Sequence, residues 1–344
     1  MSSQDIMVIG ASAGGVEALI YLVKHLPTEF NIPIVIVLHL PKHGTEVLSS
    51  LLNRNSKLPV SVVINNQAIE TGKIYVAPPD RHVLVKENYL QLTLGPRENN
   101  HRPAIDPLFR SASRAFNNRV IAVLLTGTLD DGTAGLKAVK MRDGVAVVQK
   151  PEDAMYPGMP RNAIENVENI DYILPLSEIP AILIELANRP VESLENSQDN
   201  SRKSDLVELD LNELSQDDRP NKTSVFICPD CGGPLWEMQQ QGLLRYRCRI
   251  GHAYSMESLL ARKSDDLEDA LWLAMRVLEE KASLSRKIAT RMRSQNQVSA
   301  AIRLEEQEKD AIDRAKVIQK VIYQNNQNIG ENTETFFLQG GTEV

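Results

Sequence analysis

The chain of 344 residues is poor in cysteine and in aromatic residues, with three cysteines and an aromatic content of 5%. The cysteines are odd in number and lie in one short region, which argues against a disulfide framework and for a metal site or free thiols. No run of about 18 apolar residues occurs, which excludes an ordinary membrane span. The N-terminus lacks the basic start and apolar stretch of a secretory signal. We therefore expect a soluble, cytoplasmic protein that does not insert into membranes.

The sequence also lacks a strong excess of one charge. It contains 38 lysines and arginines against 45 acidic residues, for a net charge of −7. Because no basic patch is interleaved with aromatic residues, nucleic-acid binding is not expected. A hydrophobic content of 42% is sufficient for a real core, and the length predicts about two domains.

Strand-like and helix-like patterns alternate through residues 1–188, the predicted first domain. Its apolar runs are continuous, as is typical of strands buried on both faces. This alternation predicts an α/β fold with a doubly wound, mostly parallel sheet. Alternating apolar and polar residues over 82–94 predict an antiparallel hairpin added to that sheet. The predicted strands are 6–9, 33–40, 60–64, 73–77, 120–126, 144–149 and 171–174, and the predicted helices are 14–26, 44–54, 105–117, 133–142, 160–167 and 177–188.

The remaining residues divide into four segments. Residues 189–224 are polar and acidic and are predicted to be a disordered linker. Residues 225–254 contain the cysteines, and the polar tail 326–344 is predicted to be disordered. Residues 255–325 predict a helical hairpin, or a coiled coil through which the chain could self-associate, because apolar residues recur near heptad spacing. These apolar residues are Leu267, Leu271, Ala274, Leu278, Ile288, Met292, Ile302, Ile312, Ala315, Ile318 and Ile322.

A glycine-rich turn joins the first predicted strand to the first helix. Its residues Gly10-Ala11-Ser12-Ala13-Gly14 fit the nucleophile elbow G-x-S-x-G, a short motif with many false matches. A serine at a helix N-terminus has backbone N–H groups nearby that could stabilise an oxyanion. The turn could instead bind a phosphate or serve only to reverse the chain. It does not match the dinucleotide fingerprint G-x-G-x-x-G, because Ser12 stands at the second glycine position.

Two further polar residues follow predicted strands. His39 comes at the end of the second strand, and Asp131 comes just after the strand over 120–126. Because the carboxyl ends of parallel strands line one edge of a sheet, both could converge with Ser12. The three residue types together predict a Ser-His-Asp triad for acyl transfer.

Each of these assignments has an alternative at the level of sequence. His39 could be structural, and His43 or His101 could serve as the base. Asp131 could simply cap the following helix, and its neighbour Asp130 could take its place in the triad.

The cysteines form a pattern with one histidine. Cys228 and Cys231 make a C-x-x-C pair, and Cys248 and His252 follow. Three thiols and one imidazole match a closed, tetrahedral structural zinc site, and the residues between the two pairs predict a hairpin like that of a zinc ribbon. So small an element needs a metal for much of its stability. The alternatives are a metal-free loop and a redox C-x-x-C, although the thioredoxin-like context is missing.

Six stretches in residues 5–188 follow one another in a characteristic order. They are IGASAGGVEAL, VIVLHLPKH, IYVAPPDRHVLV, HRPAIDPLFRSA, VLLTGTLDDGTAGL and VQKPEDAMYPGMPRNAI. Together they resemble the catalytic domain of the chemotaxis receptor methylesterases, the CheB family. The resemblance implies hydrolysis of glutamyl methyl esters on methyl-accepting chemotaxis receptors, with release of methanol, and deamidation of receptor glutamines, as in some members. It places the family's serine, histidine and aspartate on Ser12, His39 and Asp131, and it implies no cofactor for catalysis.

The resemblance also implies oxyanion donors, the backbone N–H groups of Ala13 and Thr128. The family usually has threonine in place of Ala13, and G-M-G in place of Gly127-Thr128-Leu129. The receiver domain usual in the family is not found before the first strand. We therefore expect no control by aspartyl phosphorylation within this chain, and the C-terminal half to replace or dispense with that control. Two alternatives stay open: a non-catalytic signalling adaptor, and a hydrolase of another ester or amide.

Overall fold

The computed structural model describes residues 5–39, 45–190, 223–240 and 242–338 of the chain. It divides into two compact units, Met1–Leu260 and Ala261–Val344. The predicted linker 189–224 lies almost wholly outside the described residues, as does His43.

The N-terminal part of the first unit alternates strands and helices. Its strands are β1 (Ile6–Ala11), β2 (Ile34–Leu38), β3 (Val60–Val62), β4 (Gln67–Ala68), β5 (Ile74–Val76), β6 (His82–Val85), β7 (Tyr89–Thr93), β8 (Val120–Leu124), β9 (Val145–Gln149) and β10 (Tyr172–Leu174). Its helices are α1 (Gly15–His25), α2 (Thr45–Asn55), α3 (Ile105–Phe116), α4 (Thr133–Lys140), α5 (Gly158–Asn166) and α6 (Ile179–Asn188).

A seven-stranded sheet forms the centre of this part, in the order β10-β9-β8-β1-β2-β5-β3. All of its strand pairs are parallel. Every residue of β1 and of β2 is buried, as expected for strands covered on both faces. The predicted doubly wound, mostly parallel α/β fold is confirmed.

Two apolar cores cover the two faces of the sheet. Successive residues of β1 alternate between them, since Met7 and Ile9 belong to one core while Ile6 and Val8 belong to the other. Helices α1, α2 and α6 pack on the first face, and α3, α4 and α5 pack on the second. This arrangement leaves the carboxyl edge of the sheet free to carry polar side chains.

The predicted hairpin over 82–94 forms, but not where it was expected. Strands β6 and β7 pair antiparallel, and β7 also pairs with β4 in a separate three-stranded sheet. The placement in the main sheet was therefore wrong. Side-chain alternation indicates that each segment is a half-buried strand, whereas it does not specify which sheet the strands join.

The cysteine-rich segment folds into a four-stranded antiparallel sheet. Its strands are β11 (Thr223–Ile227), β12 (Pro234–Gln240), β13 (Leu243–Cys248) and β14 (Ala253–Ser255), in that order across the sheet. The predicted hairpin corresponds to β12 and β13. This sheet meets the α/β part through the backbone, because Asn99 N–H donates to the Ala253 carbonyl (2.9 Å) and Ala253 N–H donates to the Arg97 carbonyl (3.2 Å). We call it the cysteine-rich sheet.

Two long helices complete the chain, α7 (Met256–Ser294) and α8 (Val298–Leu338). Their pairing is antiparallel, since Arg286 contacts Glu308 while Arg293, further along, contacts Glu305. The hairpin seam includes the predicted Ala315 and Ile322, but Leu267 and Ile302 are exposed and small residues take the central buried positions. These buried residues are Ala282, Ser285, Ala289, Ala301 and Ala311.

The last helix is longer than predicted. Residues 326–338, expected to be disordered because they are polar, continue α8, and residues 339–344 lie outside the described part. Adding a residue to an existing helix needs no new nucleation, so a polar segment can extend a helix that is already packed. Among the helices of the described residues, none combines the length and apolar character needed to cross a bilayer.

Candidate active site

Ser12 lies directly after β1 in a tight turn. Gly14 has φ of +72°, and a Cβ added to Gly15 would lie 2.7 Å from that of Ala11. Both glycines are therefore required, the first by its backbone conformation and the second by close packing. The turn is held by the Ser12 N–H, which donates to the Thr126 carbonyl (3.0 Å). Ser12 stays partly exposed at the edge of the sheet.

His39 follows the neighbouring strand and lies beside Ser12. Because Ala11 and Leu38 pair across β1 and β2, the residues after them emerge side by side. The Nδ1 atom of His39 is 3.2 Å from Ser12 Oγ, and Nε2 is 2.8 Å from Asp131 Oδ2. The ring therefore bridges the hydroxyl and the carboxylate. Its two nitrogens are used in the opposite sense to those of the serine-protease triad.

Asp131 follows β8, on the other side of β1, and its carboxylate is buried. Apart from His39, it accepts hydrogen bonds from backbone N–H groups at the start of α3, Ile105 at 2.6 Å and Asp106 at 3.2 Å. Toward α4, the helix that follows it, Asp131 accepts from the N–H of Gly132, the residue just before that helix (3.1 Å). In the first turn of α4, the Gly135 N–H donates to Asp106 of α3 (2.7 Å). The aspartate is thus tied to a helix that is distant in sequence.

The electrostatics keep Asp131 ionised. Burial acts to raise the pKa of this carboxyl, but the hydrogen bond and charge of His39 and the N–H of Ile105 outweigh it, so the pKa is lowered overall. An ionised carboxylate at this position can hold the Nε2–H tautomer of His39, which leaves Nδ1 free to accept the serine proton.

The neighbouring Asp130 faces elsewhere. Its Oδ1 accepts hydrogen bonds from the hydroxyls of Ser255 (2.8 Å) and Ser258 (2.9 Å). Burial raises the pKa of Asp130 to about 6, although the Ser255 hydrogen bond lowers it. Asp131, and not Asp130, is therefore the carboxylate that the structure brings to His39.

His101, the rival base, stacks on His39 with ring centroids 3.6 Å apart and an interplanar angle of 10°. Burial, and next the charge of His39, lower the pKa of His101 to about 3, so the ring is neutral at physiological pH. A neutral flat ring in this position fixes the plane of His39 without competing for its proton. The role of His101 as a stacking partner was not predicted, because the stretch HRPAID shows only that a histidine is present.

The segment that contains Thr128 packs against the serine turn. A Cβ added to Gly127 would lie 2.9 Å from Ser12 Cβ, so only glycine allows this approach. Among the described residues, the N–H groups of Ala13 and Thr128 donate to no other group. Leu129, where the family usually has glycine, has φ of +62°, a conformation that disfavours residues with a side chain.

An exposed apolar patch borders the same turn. Met155 and Tyr156 are 64% and 43% exposed, and Met155 lies against Gly14. The Tyr156 carbonyl accepts a hydrogen bond from Gly127 N–H (2.9 Å), which ties this loop to the segment beside Ser12. No sequence pattern singles out these two residues.

Away from this site, the predicted metal ligands come together. The donor atoms of Cys228, Cys231, Cys248 and His252 all lie within 4.8 Å of one another. Sγ atoms of Cys231 and Cys248 are 3.6 Å apart, and His252 Nδ1 is 3.4 Å from Cys248 Sγ. A tetrahedral zinc with bonds of about 2.3 Å to sulfur and about 2.0 Å to nitrogen separates its ligands by roughly these distances. The cluster therefore fits a zinc ion.

Comparison with known proteins finds relatives of the first part of the chain. A protein of Leptospira interrogans is 39% identical over 189 residues, which are 55% of this chain and 97% of that protein. It is provisionally named protein-glutamate methylesterase/protein-glutamine glutaminase. A Thermotoga maritima protein named protein-glutamate methylesterase/protein-glutamine glutaminase is 36% identical over 188 residues. The match spans 54% of each chain.

A solved structure agrees with these relatives. The crystal structure of the Thermotoga maritima CheB methylesterase catalytic domain has a TM-score of 0.52 and 36% identity, covering 54% of this chain and 100% of that one. A family model described as CheB methylesterase matches residues 7–183. That match runs from the first strand of the parallel sheet into its last helix and includes the loops that carry Ser12, His39 and Asp131. The chain therefore belongs to the CheB methylesterase family.

Proposed function

We propose that this protein is a protein-glutamate methylesterase. It hydrolyses methyl esters on glutamate side chains of methyl-accepting chemotaxis receptors and releases methanol. Membership of the CheB methylesterase family and the names of the relatives support the reaction. The observation that carries the proposal is the His39 ring, which lies 3.2 Å from the Ser12 hydroxyl and 2.8 Å from the Asp131 carboxylate.

The first half of the reaction forms an acyl-enzyme. As Ser12 Oγ bonds the ester carbonyl carbon, its proton passes to His39 Nδ1 and the carbonyl electron pair moves to oxygen. The N–H groups of Ala13 and Thr128 donate to this oxyanion. Asp131 accepts the Nε2–H of the imidazolium and stabilises its charge. The tetrahedral intermediate then loses methoxide, which takes the Nδ1 proton and leaves as methanol.

The second half regenerates the enzyme. A water molecule attacks the acyl carbon while His39 Nδ1 takes one of its protons, and the bond to Ser12 Oγ breaks as the serine regains a proton. The products are a free glutamate side chain and the original hydroxyl. The same steps on a glutamine side chain release ammonia in place of methanol, which is the deamidase activity.

The other parts of the chain receive separate roles. Residues 1–188 carry catalysis, and 225–254 form a zinc-ribbon-like element in which Cys228, Cys231, Cys248 and His252 hold a structural zinc ion. This ion supplies folding stability and takes no part in the hydrolysis.

Thiolate ligands persist in a reducing compartment, which supports a cytoplasmic location. The helix pair over 255–325, with exposed apolar residues such as Leu273 and Val277, is assigned to self-association.

Methanol release from a methylated receptor tests the proposal. The Ser12→Ala variant should lower the rate by about a thousandfold or more, because it removes the nucleophile. Ser177→Ala is the matched control, since Ser177 is an exposed serine distant in sequence from the turn, and it should match the unaltered protein. Retained activity in Ser12→Ala would exclude Ser12 as the nucleophile. Hydrolysis of small esters without receptor turnover would favour another ester or amide, and no hydrolysis at all would favour an adaptor.

A further inference from the structure

Arg245 of β13 reaches from the cysteine-rich sheet into the acidic side of the candidate active site. The residue is only 5% exposed. Its Nη1 lies 3.2 Å from Asp106 Oδ2, and its Nη2 lies 3.3 Å from Asn99 Oδ1 and 3.5 Å from Glu98 Oε2. The planar guanidinium can serve several acceptors at once because its donors point in fixed directions.

Asn99 links Arg245 to the aspartate of the triad. It is 1% exposed, and its amide Nδ2 donates to both Asp131 Oδ1 and Asp106 Oδ2, each at 3.0 Å. Its carbonyl oxygen faces the other way and accepts from Arg245 Nη2 and from the Ser255 N–H (3.3 Å). Donors from the cysteine-rich sheet thus hold the amide with its NH₂ toward the two carboxylates.

The two carboxylates need a nearby positive charge. Asp106 and Asp131 are both buried and share the amide of Asn99. Burial, and next the charge of Asp131, raise the pKa of Asp106, while Arg245 and Arg110 oppose this. A protonated Asp106 would no longer be a pure acceptor for Asn99 and for the start of α4. Arg245, which contacts Asp106 directly, therefore acts against its protonation.

A second contact reinforces the first. The hydroxyls of Ser255, the last residue of β14, and of Ser258, at the start of α7, both donate to Asp130, the residue next to Asp131. The same element therefore contacts the loop after β8 directly through Asp130 and, through Asn99, the carboxylate that meets His39.

We propose that Arg245 is a positioning residue for the hydrolase: through Asn99 and Asp106 it holds Asp131 toward His39, so that the cysteine-rich sheet completes the active site. The sheet is then a working part of the hydrolase and not only a docking module. This inference rests on the proposed function in one respect, since it takes Ser12, His39 and Asp131 as the catalytic groups.

The test uses a fluorophosphonate probe on the full chain, because this reagent needs no receptor. The Ser12 oxygen bonds phosphorus, fluoride leaves, and the serine proton passes to His39. Arg245→Met should slow labelling about tenfold, the loss expected when a buried charged hydrogen bond to a supporting group is removed. Arg249→Met is the control, because Arg249 is exposed and lies in the turn that follows β13. This variant should label at the rate of the unaltered protein.

A spectroscopic readout separates positioning from a merely structural role. The Nε2–H of His39, held by Asp131, should give a proton NMR signal far downfield in protein with labelled histidine. Arg245→Met should shift or broaden this signal, and Arg249→Met should not. A signal and a labelling rate that both stay unaltered in Arg245→Met would overturn the inference.

A milder variant covers the case in which Arg245→Met does not fold. Arg245→Lys keeps the positive charge but lacks the planar guanidinium group, whose fixed N–H donors contact Asn99 and Asp106 together. Labelling slower than that of the unaltered protein supports positioning, whereas unaltered labelling overturns it. If the unaltered protein reacts with the probe but leaves receptors methylated, only the assignment of receptors as substrates is wrong. If the unaltered protein does not react with the probe, the proposed hydrolase function itself is wrong.

Discussion

At the scale of single residues, Asp131 combines two tasks. It meets His39 at 2.8 Å, and it accepts backbone hydrogen bonds at the start of α3. Replacing it should therefore affect both the proposed chemistry and the stability of the fold. A substitution that keeps the shape of the side chain is needed to separate the two.

Asp131→Asn should lower the rate of methyl-ester hydrolysis by about a thousandfold or more, because an amide cannot hold the productive tautomer or stabilise the imidazolium. Asp130→Asn is the comparison, and it should cause a far smaller loss, since Asp130 contacts Ser255 and Ser258 and not His39. Steady-state methanol release measures both. Equal losses in the two variants would show that the neighbouring aspartates share the task.

Asp130→Asn should also stabilise the fold in a pH-dependent way. Burial raises the pKa of Asp130 from 3.8 to about 6, so the folded state binds its proton more tightly than the unfolded state. A carboxyl group whose pKa is raised on folding stabilises the folded state at pH values below its pKa in the unfolded state. This stabilisation is lost as the pH rises through its pKa in the folded state. At pH 7 the variant should gain about 2 kcal/mol in free energy of unfolding, and the gain should fade toward pH 4. Urea unfolding at both pH values is the measurement, and a gain that does not change with pH would contradict the assignment.

At the scale of elements, the cysteine-rich sheet has a very small core. Its buried cluster consists of Cys228, Leu235, Tyr246, Cys248, Tyr254 and Leu259. Two of these are predicted metal ligands, so the apolar contribution to its stability is small, and the proposed zinc ion would supply much of the rest.

Cys231→Ser should abolish stoichiometric zinc binding and lower the melting temperature of the cysteine-rich sheet. Three donors hold zinc much less tightly than four, and folding of the sheet is linked to binding. Metal analysis of the purified protein and thermal melts with and without a chelator measure the two effects. Arg249→Met, on the turn between Cys248 and His252, should retain the ion. A full equivalent of zinc in Cys231→Ser would contradict the four-ligand site.

The sequence predicts elements better than their partners. Continuous apolar runs such as Ile34–Leu38 identified the strands of the parallel sheet, because strands covered on both faces consist of such runs. The juxtaposition of Ser12, His39 and Asp131 followed from the rule that carboxyl ends share an edge. The contact between Asn99 and Arg245 could not be foreseen, since it spans 146 residues and no local pattern encodes it.

At the scale of the whole molecule, the boundary between the two units falls after Leu260. Every contact described between the cysteine-rich sheet and the α/β part lies before this boundary. The helix pair beyond it is a separate compact unit.

A chain that ends after Leu260 should therefore keep the fluorophosphonate labelling rate of the full protein, within about twofold, because it retains Arg245, Ser255 and Ser258. A chain that ends at residue 222 lacks the whole cysteine-rich sheet and should label about tenfold more slowly. Analytical ultracentrifugation of the chain that ends after Leu260, compared with the full protein, tests self-association through the helix pair. Equal labelling of both truncations would argue against a contribution of the sheet to the site.

The order of the catalytic groups along the chain has a consequence for biosynthesis. Ser12 and His39 leave the ribosome early, Asp131 follows after β8, and Arg245 is translated more than a hundred residues later. A nascent chain thus displays a hydroxyl and an imidazole long before the groups that arrange them. Products of translation that stop before Arg245 should therefore be weak hydrolases.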